Sequence, residues 1–380
     1  MSRCMLYSAA FLLLAPLALH GVTADGAMWD TAARAQNADV SLEEIRGFYK
    51  LMPMQTPRGS NTRAVGNGIV SLTFGPEPRD ITIHGCRWQL SHAVKTDDKG
   101  DLLLSRTDVV NLIDPILRPT YIANRRIVKT IVLDPGHGGH DAGTNTPLVR
   151  EADVALLVAN KMAAILKERG YHVLLTHDVN RYMSDQQRLD SVKNALNPIF
   201  ISLHLNSGRS DVQGAQTYTP APAEPGKQAL PVNAHDAANA ALAMSLQAAM
   251  VTDAGATDAG CHRMHYSMLN SLSCPAAHVE LGYATNEEEA TKLNTDEYQN
   301  KLATALADGI TRFAGVMNPE MALKARPAPV VQQPEPVKVD APAKKTKPAP
   351  ERKKSRAVRR TVRKAQPKRR TPSRRNKRRR

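Results

Sequence analysis

Two histidines and two carboxylates in this sequence sit where an apolar run ends or a helix begins, and their types suit metal-assisted hydrolysis. His137 lies in Asp134-Pro135-Gly136-His137-Gly138-Gly139-His140, directly after Ile131-Val132-Leu133. His204 follows Ile201-Ser202-Leu203, Glu280 follows Ala276-Ala277-His278-Val279, and Glu151 opens a helical segment. Two imidazoles and a carboxylate are a frequent ligand set for catalytic zinc and leave one position open. Zinc so held lowers the pKa of its water to about 7 and polarises a carbonyl; a second carboxylate can carry the water proton to a departing amine. The glycines around His137 fit a loop that turns sharply and lets other groups approach its backbone. Each residue alone has a plainer role: a strand-end histidine bonded in a loop, Glu151 as an acid at a helix N-terminus, Glu280 as a buried carboxylate paired with an arginine. Four together at one sheet edge favour the site. His140 reads as a loop residue, since a catalytic centre keeps its open position. Asp134 either orients a ligand histidine or caps the turn.

Bringing these groups together requires several strand ends at one edge. From Ile127 the pattern is strand, loop, helix. Lys129–Leu133, His172–Thr176, Pro198–Leu203 and Ala276–Leu281 read as strands. Val154, Leu157, Val158, Met162, Ile165 and Leu166 recur at helical spacing before Gly170; Gln186–Ala195 and Asp236–Met250 read as helices, and Tyr298, Leu302, Leu306, Ile310 and Phe313 mark a closing one. Thr219–Val232, rich in Pro and Ala, reads as a loop. This predicts an α/β fold: a central, mostly parallel sheet with helices on both faces and ligands beyond the strand carboxyl ends.

Residues 25–124 read differently, as a small α+β accessory domain of illegible function. Ser41 with Glu44 three residues on makes a capping box, and short extended runs (Gly68–Phe74, Ile81–His84, Leu102–Leu104) alternate with turns, before a short helix at Thr107–Leu112. This part resembles the small domain at the start of copper amine oxidases, a likeness that implies no copper chemistry. His84 and His92, isolated from one another, read as structural.

The motifs Ile131-Val132-Leu133-Asp134-Pro135-Gly136-His137-Gly138-Gly139, Arg150-Glu151, Ile201-Ser202-Leu203-His204-Leu205-Asn206 and Val279-Glu280-Leu281-Gly282-Tyr283 occur in that order. Together they resemble the signature of zinc-dependent N-acetylmuramoyl-L-alanine amidases from about Ile127 to Met317, which places a catalytic domain over residues 125–317. The resemblance implies that His137, Glu151 and His204 bind Zn2+. It makes Glu280 the catalytic acid/base, and the scissile bond the amide between N-acetylmuramic acid and L-alanine in peptidoglycan. Leu205, Tyr283 and His177 depart from the family's usual Ala, Phe and Arg without touching a proposed ligand. Two alternatives remain: a zinc peptidase acting on the stem peptide, and a wall-binding protein without turnover.

The ends carry their own signals. Arg3, the apolar stretch Met5–Leu19 and the small residues Val22-Thr23-Ala24 read as an export signal cut after Ala24, too short for a retained membrane anchor. The implied location is the periplasm or cell envelope. Residues 318–380 hold 23 basic against 4 acidic residues, leaving 28 against 32 for the rest of a chain whose net charge is +15. That Pro/Lys/Arg-rich tail is expected to be disordered; behind an export signal the expected partner is an anionic envelope surface rather than nucleic acid, the plainer alternative being a solvated tail with no dedicated partner. The aromatic content of 4% argues against a surface of stacked rings. Of the cysteines, Cys86, Cys261 and Cys274 follow the signal; if one pair forms it is Cys261–Cys274, and otherwise all three are buried thiols.

Overall fold

The computed structural model describes residues 39–221 and 233–320. The export signal with its cut after Ala24, the tail beyond residue 320 and residues 222–232 of the expected loop lie outside the described residues. Among the described residues no helix is long and apolar enough to cross a membrane.

The second half builds an α/β layer as its pattern predicts. Strands β9 (Thr130–Pro135), β10 (His172–Leu175), β11 (Pro198–Asn206) and β14 (Ala276–Tyr283) are all parallel, in the order β10-β9-β11-β14. Helices α2 (Glu151–Glu168), α4 (Asp236–Thr252) and α7 (Asp296–Met317) cover one face, burying Ile131, Leu133, Ile201, Leu203, Val279 and Leu281 against Val158, Leu242 and Leu306. Gly170, at φ 85°, ends α2 in a conformation glycine adopts without strain. A smaller cluster (Val132, Phe200 and Ala276 with Met268, Leu269 and Leu272) covers part of the other face, under the short helices α3 (Asp185–Asp190) and α5 (Ser267–Asn270). The helix expected over Gln186–Ala195 is only α3.

The sheet is mixed, a correction to the mostly parallel expectation. Strands β12 (Ala215–Pro220) and β13 (Asp258–Met264) went unread in the sequence, because Ala-Gln-Thr-Tyr-Thr-Pro and Asp-Ala-Gly-Cys-His-Arg-Met lack the β-branched runs that mark the others. β12 runs antiparallel to β14 and parallel to β13. It also takes Thr219 and Pro220 out of the expected loop. β13 then pairs, at Cys261 and Trp88, with β6 (Cys86–Gln89) of the first half. Behind it follow β5 (Asp80–Ile83), β4 (Ser71–Phe74), β3 (Arg63–Gly66) and β2 (Met52–Pro53), all antiparallel, completing eleven strands.

The expected accessory segment is thus continuous with the same sheet. Helix α4 spans the junction because it is apolar nearly all round: Leu242 and Leu246 face one core, Ala240, Ala243 and Met244 the other. Trp88 is buried there and its indole N–H points at the Met244 sulfur, 3.3 Å away. The first half also carries β1 (Asp39–Ser41), β7 (Lys95–Thr96) and β8 (Leu102–Ser105) as a second sheet. Helix α1 (Leu42–Tyr49) starts with the Ser41–Glu44 capping box. Among the described residues Cys86, Cys261 and Cys274 are all buried. The Cys261–Cys274 pair is not made, since Cys261 sits in the Trp88 core and Cys274 in the Phe200 cluster.

His84 and His92 take structural places. His92 lies beside Asp108 at 3.3 Å. His84 and Gly85, with φ 50° and 86°, form the two-residue turn between β5 and β6, and burial depresses the His84 pKa to about 4. Its contribution to stability is complete above pH 6.5, the unfolded value, and is lost as pH falls toward 4, by up to roughly 3 kcal/mol. Asn tolerates this left-handed turn position better than His. His84→Asn should therefore leave stability at pH 8 nearly unchanged and flatten the loss between pH 6.5 and 4, read from urea unfolding at each pH. An acid limb as steep as the wild type's would sink the assignment.

Candidate metal centre

The loop after β9 turns back on itself through a Gly138–Asp141 bridge, and His137 takes the left-handed conformation, φ 60°. Its Nδ1 meets Asp141 Oδ2 at 2.8 Å, which turns Nε2 toward Glu151, 3.0 Å from Oε1. Glu151 begins α2 and is buried. The same Oε1 lies 2.9 Å from Nδ1 of His204 on β11, and the ligand atoms of His137, Glu151 and His204 lie within 4.8 Å of one another. Backbone N–H groups hold the carboxylate as well: Leu205 donates to Oε1 at 3.2 Å and Thr144 to Oε2 at 2.7 Å.

The electrostatics match a site built for a cation. Burial alone would raise the Glu151 pKa, yet the bonds from His137 and His204 hold it well below the usual carboxylate range. His137 is pushed up to about 9 by its bond to Glu151 first, against burial and with help from Asp141. Two ring nitrogens converging on one carboxylate oxygen, with an outer carboxylate fixing one ring, are the donor set and support a divalent transition metal needs.

The space fits too, because glycine is required at two walls. A Cβ on Gly136 would stand 2.3 Å from His204 Cε1, and one on Gly143 would stand 2.5 Å from His137 Cδ2 and 2.6 Å from Glu151 Oε2. Gly136→Ala should therefore displace the His204 ring and weaken metal binding at least tenfold, with little change in helix content. Zinc titration against a competing chelator reads this, and unchanged affinity would show that the His204 ring is not part of the donor set.

Glu280 stands directly across from His204 in the β11–β14 register. Its Oε1 meets His278 Nε2 at 2.8 Å, while Oε2 is buried with no hydrogen-bond partner among the described residues. His278 was missed in the sequence, although a residue two before Glu280 on a strand shares its face. Its ring stacks on His204 (centroids 4.4 Å, planes 19° apart), and burial, then the neighbouring His204, lowers its pKa. A neutral imidazole there donates Nε2–H to Glu280 and fixes one carboxylate oxygen.

The other candidates stand apart. His140 is exposed, its ring 4.3 Å from that of Tyr182. Asp134 neither orients a ligand histidine nor caps the turn. It is buried, pairs with Arg188, and accepts from Thr176 Oγ1 at 2.7 Å and Ser202 Oγ at 2.8 Å. Arg188, also missed, clamps the loop by donating to Pro135 O (2.7 Å) and His137 O (3.0 Å). Beyond Glu280, Gln216 Oε1 accepts from Asn206, from Tyr218 Oη at 3.1 Å and from Tyr283 Oη at 3.3 Å.

Comparison with known proteins adds an independent line. The family described as Amidase_3, N-acetylmuramoyl-L-alanine amidase, matches residues 131–312. The uncharacterised protein YqiI of Bacillus subtilis (strain 168) is 28% identical over 185 residues, 49% of this chain and 84% of that protein. The N-acetylmuramoyl-L-alanine amidase LytC of the same organism is 27% identical over 194 residues, covering 50% of this chain and 37% of that protein. Among solved structures, the catalytic domain of CwlV, an N-acetylmuramoyl-L-alanine amidase from Bacillus (Paenibacillus) polymyxa, is 29% identical. It covers 50% of this chain and 99% of that domain, with a TM-score of 0.44.

Proposed function

The chain belongs to the N-acetylmuramoyl-L-alanine amidase family through residues 131–312, and on that premise we propose that it cuts the amide between the lactyl carbonyl of N-acetylmuramic acid and L-alanine in peptidoglycan, with Zn2+ held by His137, Glu151 and His204. When bound, the zinc ion supplies a Lewis acid for the carbonyl under attack. Asp141 keeps the His137 tautomer that presents Nε2. His278 occupies Glu280 Oε1 and leaves Oε2 to take the proton of the attacking water. Glu280 then returns that proton to the alanine nitrogen, because an amide leaves as an amine and not as an anion. The observation that carries this reading is the unpartnered Oε2 beside His204 on the neighbouring strand.

Mass spectrometry of digested peptidoglycan tests it. Free stem peptides beginning with L-alanine together with uncut glycan strands are expected, abolished by a chelator and restored by zinc. Cuts within the stem peptide would identify a peptidase, and binding without release of peptides a wall-binding protein.

A cell-envelope location follows from this substrate, with the apolar N-terminal stretch as the means of export. The basic tail then meets the anionic envelope. Removing residues 318–380 should leave turnover of soluble fragments unchanged and weaken salt-sensitive binding to whole envelopes several-fold. Equal binding of both forms at low salt would remove that role.

A further inference from the structure

The strand row that holds the catalytic groups does not end with the family-matched residues. His204 faces Glu280, Glu280 faces Gln216, and Gln216 faces Gly260. A Cβ on Gly260 would lie 3.2 Å from Arg87 Cβ, so the row passes directly onto β6. There Arg87 faces Thr82, Thr82 faces Thr73, and Thr73 faces Ala64. At about 4.8 Å per strand this line runs roughly 34 Å from the metal centre. Its side chains lie on the face opposite the core, since their strand neighbours Cys261, Trp88, Ile81, Ile83 and Leu72 are all buried in it. Thr73 and Thr82 are half-buried and Arg87 exposed.

The chemistry of this face is that of hydroxyls and amides. Arg87 is neutralised by Asp80 at 3.2 Å, so the part beyond Gln216 presents Thr82, Thr73, Gln89 and Ser71 around an internally paired ion pair, with the His262 ring of β13 3.3 Å from Gln216 Nε2. Such a face suits an uncharged, hydroxyl- and acetamide-bearing chain better than a carboxylate-bearing peptide or an anionic surface. Length agrees: an extended peptide would need about ten residues to cover 34 Å, more than a short stem peptide offers, whereas a glycan strand continues past the muramic acid that bears the cut bond. We propose that β4, β5 and β6 bind the glycan strand of the substrate along this row, an inference that rests on the amidase reading above.

The test compares kcat/KM on long glycan strands carrying stem peptides with kcat/KM on a single disaccharide-peptide, too short to reach Thr82. Thr73→Val/Thr82→Val keeps the strand-forming shape and removes both hydroxyls; Thr82→Arg obstructs the row. Both should lower the polymer-to-monomer ratio, at least fivefold for the double variant and more for the obstruction, and Thr291→Arg, at an exposed position of the helix Glu287–Leu293, should not. In a Glu280→Gln background, glycan strands stripped of peptide should bind, and the double variant should bind them at least fivefold more weakly. An unchanged ratio in both variants, or displacement of the strands by free stem peptide, would overturn the proposal. A wild-type chain that releases no stem peptide from either substrate would instead sink the amidase reading.

Discussion

Glu280→Gln should lower kcat for peptide release by about 10²–10⁴-fold, the range a positioned acid–base group supplies, while zinc stays bound at one ion per chain. The substitution isolates proton transfer. Gln has the volume of Glu, and its carbonyl oxygen can still accept the His278 N–H that now reaches Oε1 at 2.8 Å. What changes is Oε2, the buried atom without a partner, replaced by an NH2 that cannot take a proton. Because Glu280 touches none of His137, Glu151 or Asp141, metal affinity and melting temperature should hold. Single-turnover release of stem peptides, with zinc counted by atomic absorption, reads both halves. Activity within tenfold of wild type would move the proton transfer to another group, and loss of zinc would make Glu280 a ligand instead.

Much of this arrangement was legible because the strands that carry it are apolar. Ile131–Leu133, Phe200–Leu203 and Ala276–Val279 announce themselves, and each delivers its polar group at or near the end of the run. The illegible parts have a shared physical cause. β12 and β13 contain Gly, Pro and polar residues because one of their faces is the open polar row and only the other is buried; Thr217, for example, bonds Gln247 inside the core at 2.9 Å. Periodicity built on apolar content cannot see such strands. The sheet's continuation into β6 depends on one pairing, Cys261 with Trp88, 173 positions apart in the chain, and no local pattern encodes a partner that distant. Asp141 and His278 were overlooked for a simpler reason. Each is recognised only from its geometry to a ligand or to Glu280, through a loop that folds back or a strand face shared at period two.

His204→Ala separates ligand loss from the loss of chemistry. It removes one of the three proposed donors, so zinc affinity should fall by more than the about 10–100-fold that losing an outer partner costs, leaving the purified chain nearly metal-free and inactive. Asp141→Asn, whose Oδ2 meets the far nitrogen of His137 and whose Oδ1 accepts from the Gly143 N–H, provides the comparison and should fall within that 10–100-fold range. The Ala variant also strips a buried carboxylate of a partner: Glu151 keeps His137 and two backbone donors but loses the ring at 2.9 Å, and His278 loses the ring stacked on it. A lower melting temperature should follow, by an amount typical of a buried bond to a charged group, about 1.5–3 kcal/mol. Added zinc should stabilise the wild type strongly and the variant weakly, since a ligand stabilises only the state that binds it. If His204→Ala bound zinc as tightly as Asp141→Asn does, His204 would be an outer residue, and the convergence of three side chains on one point would need another explanation.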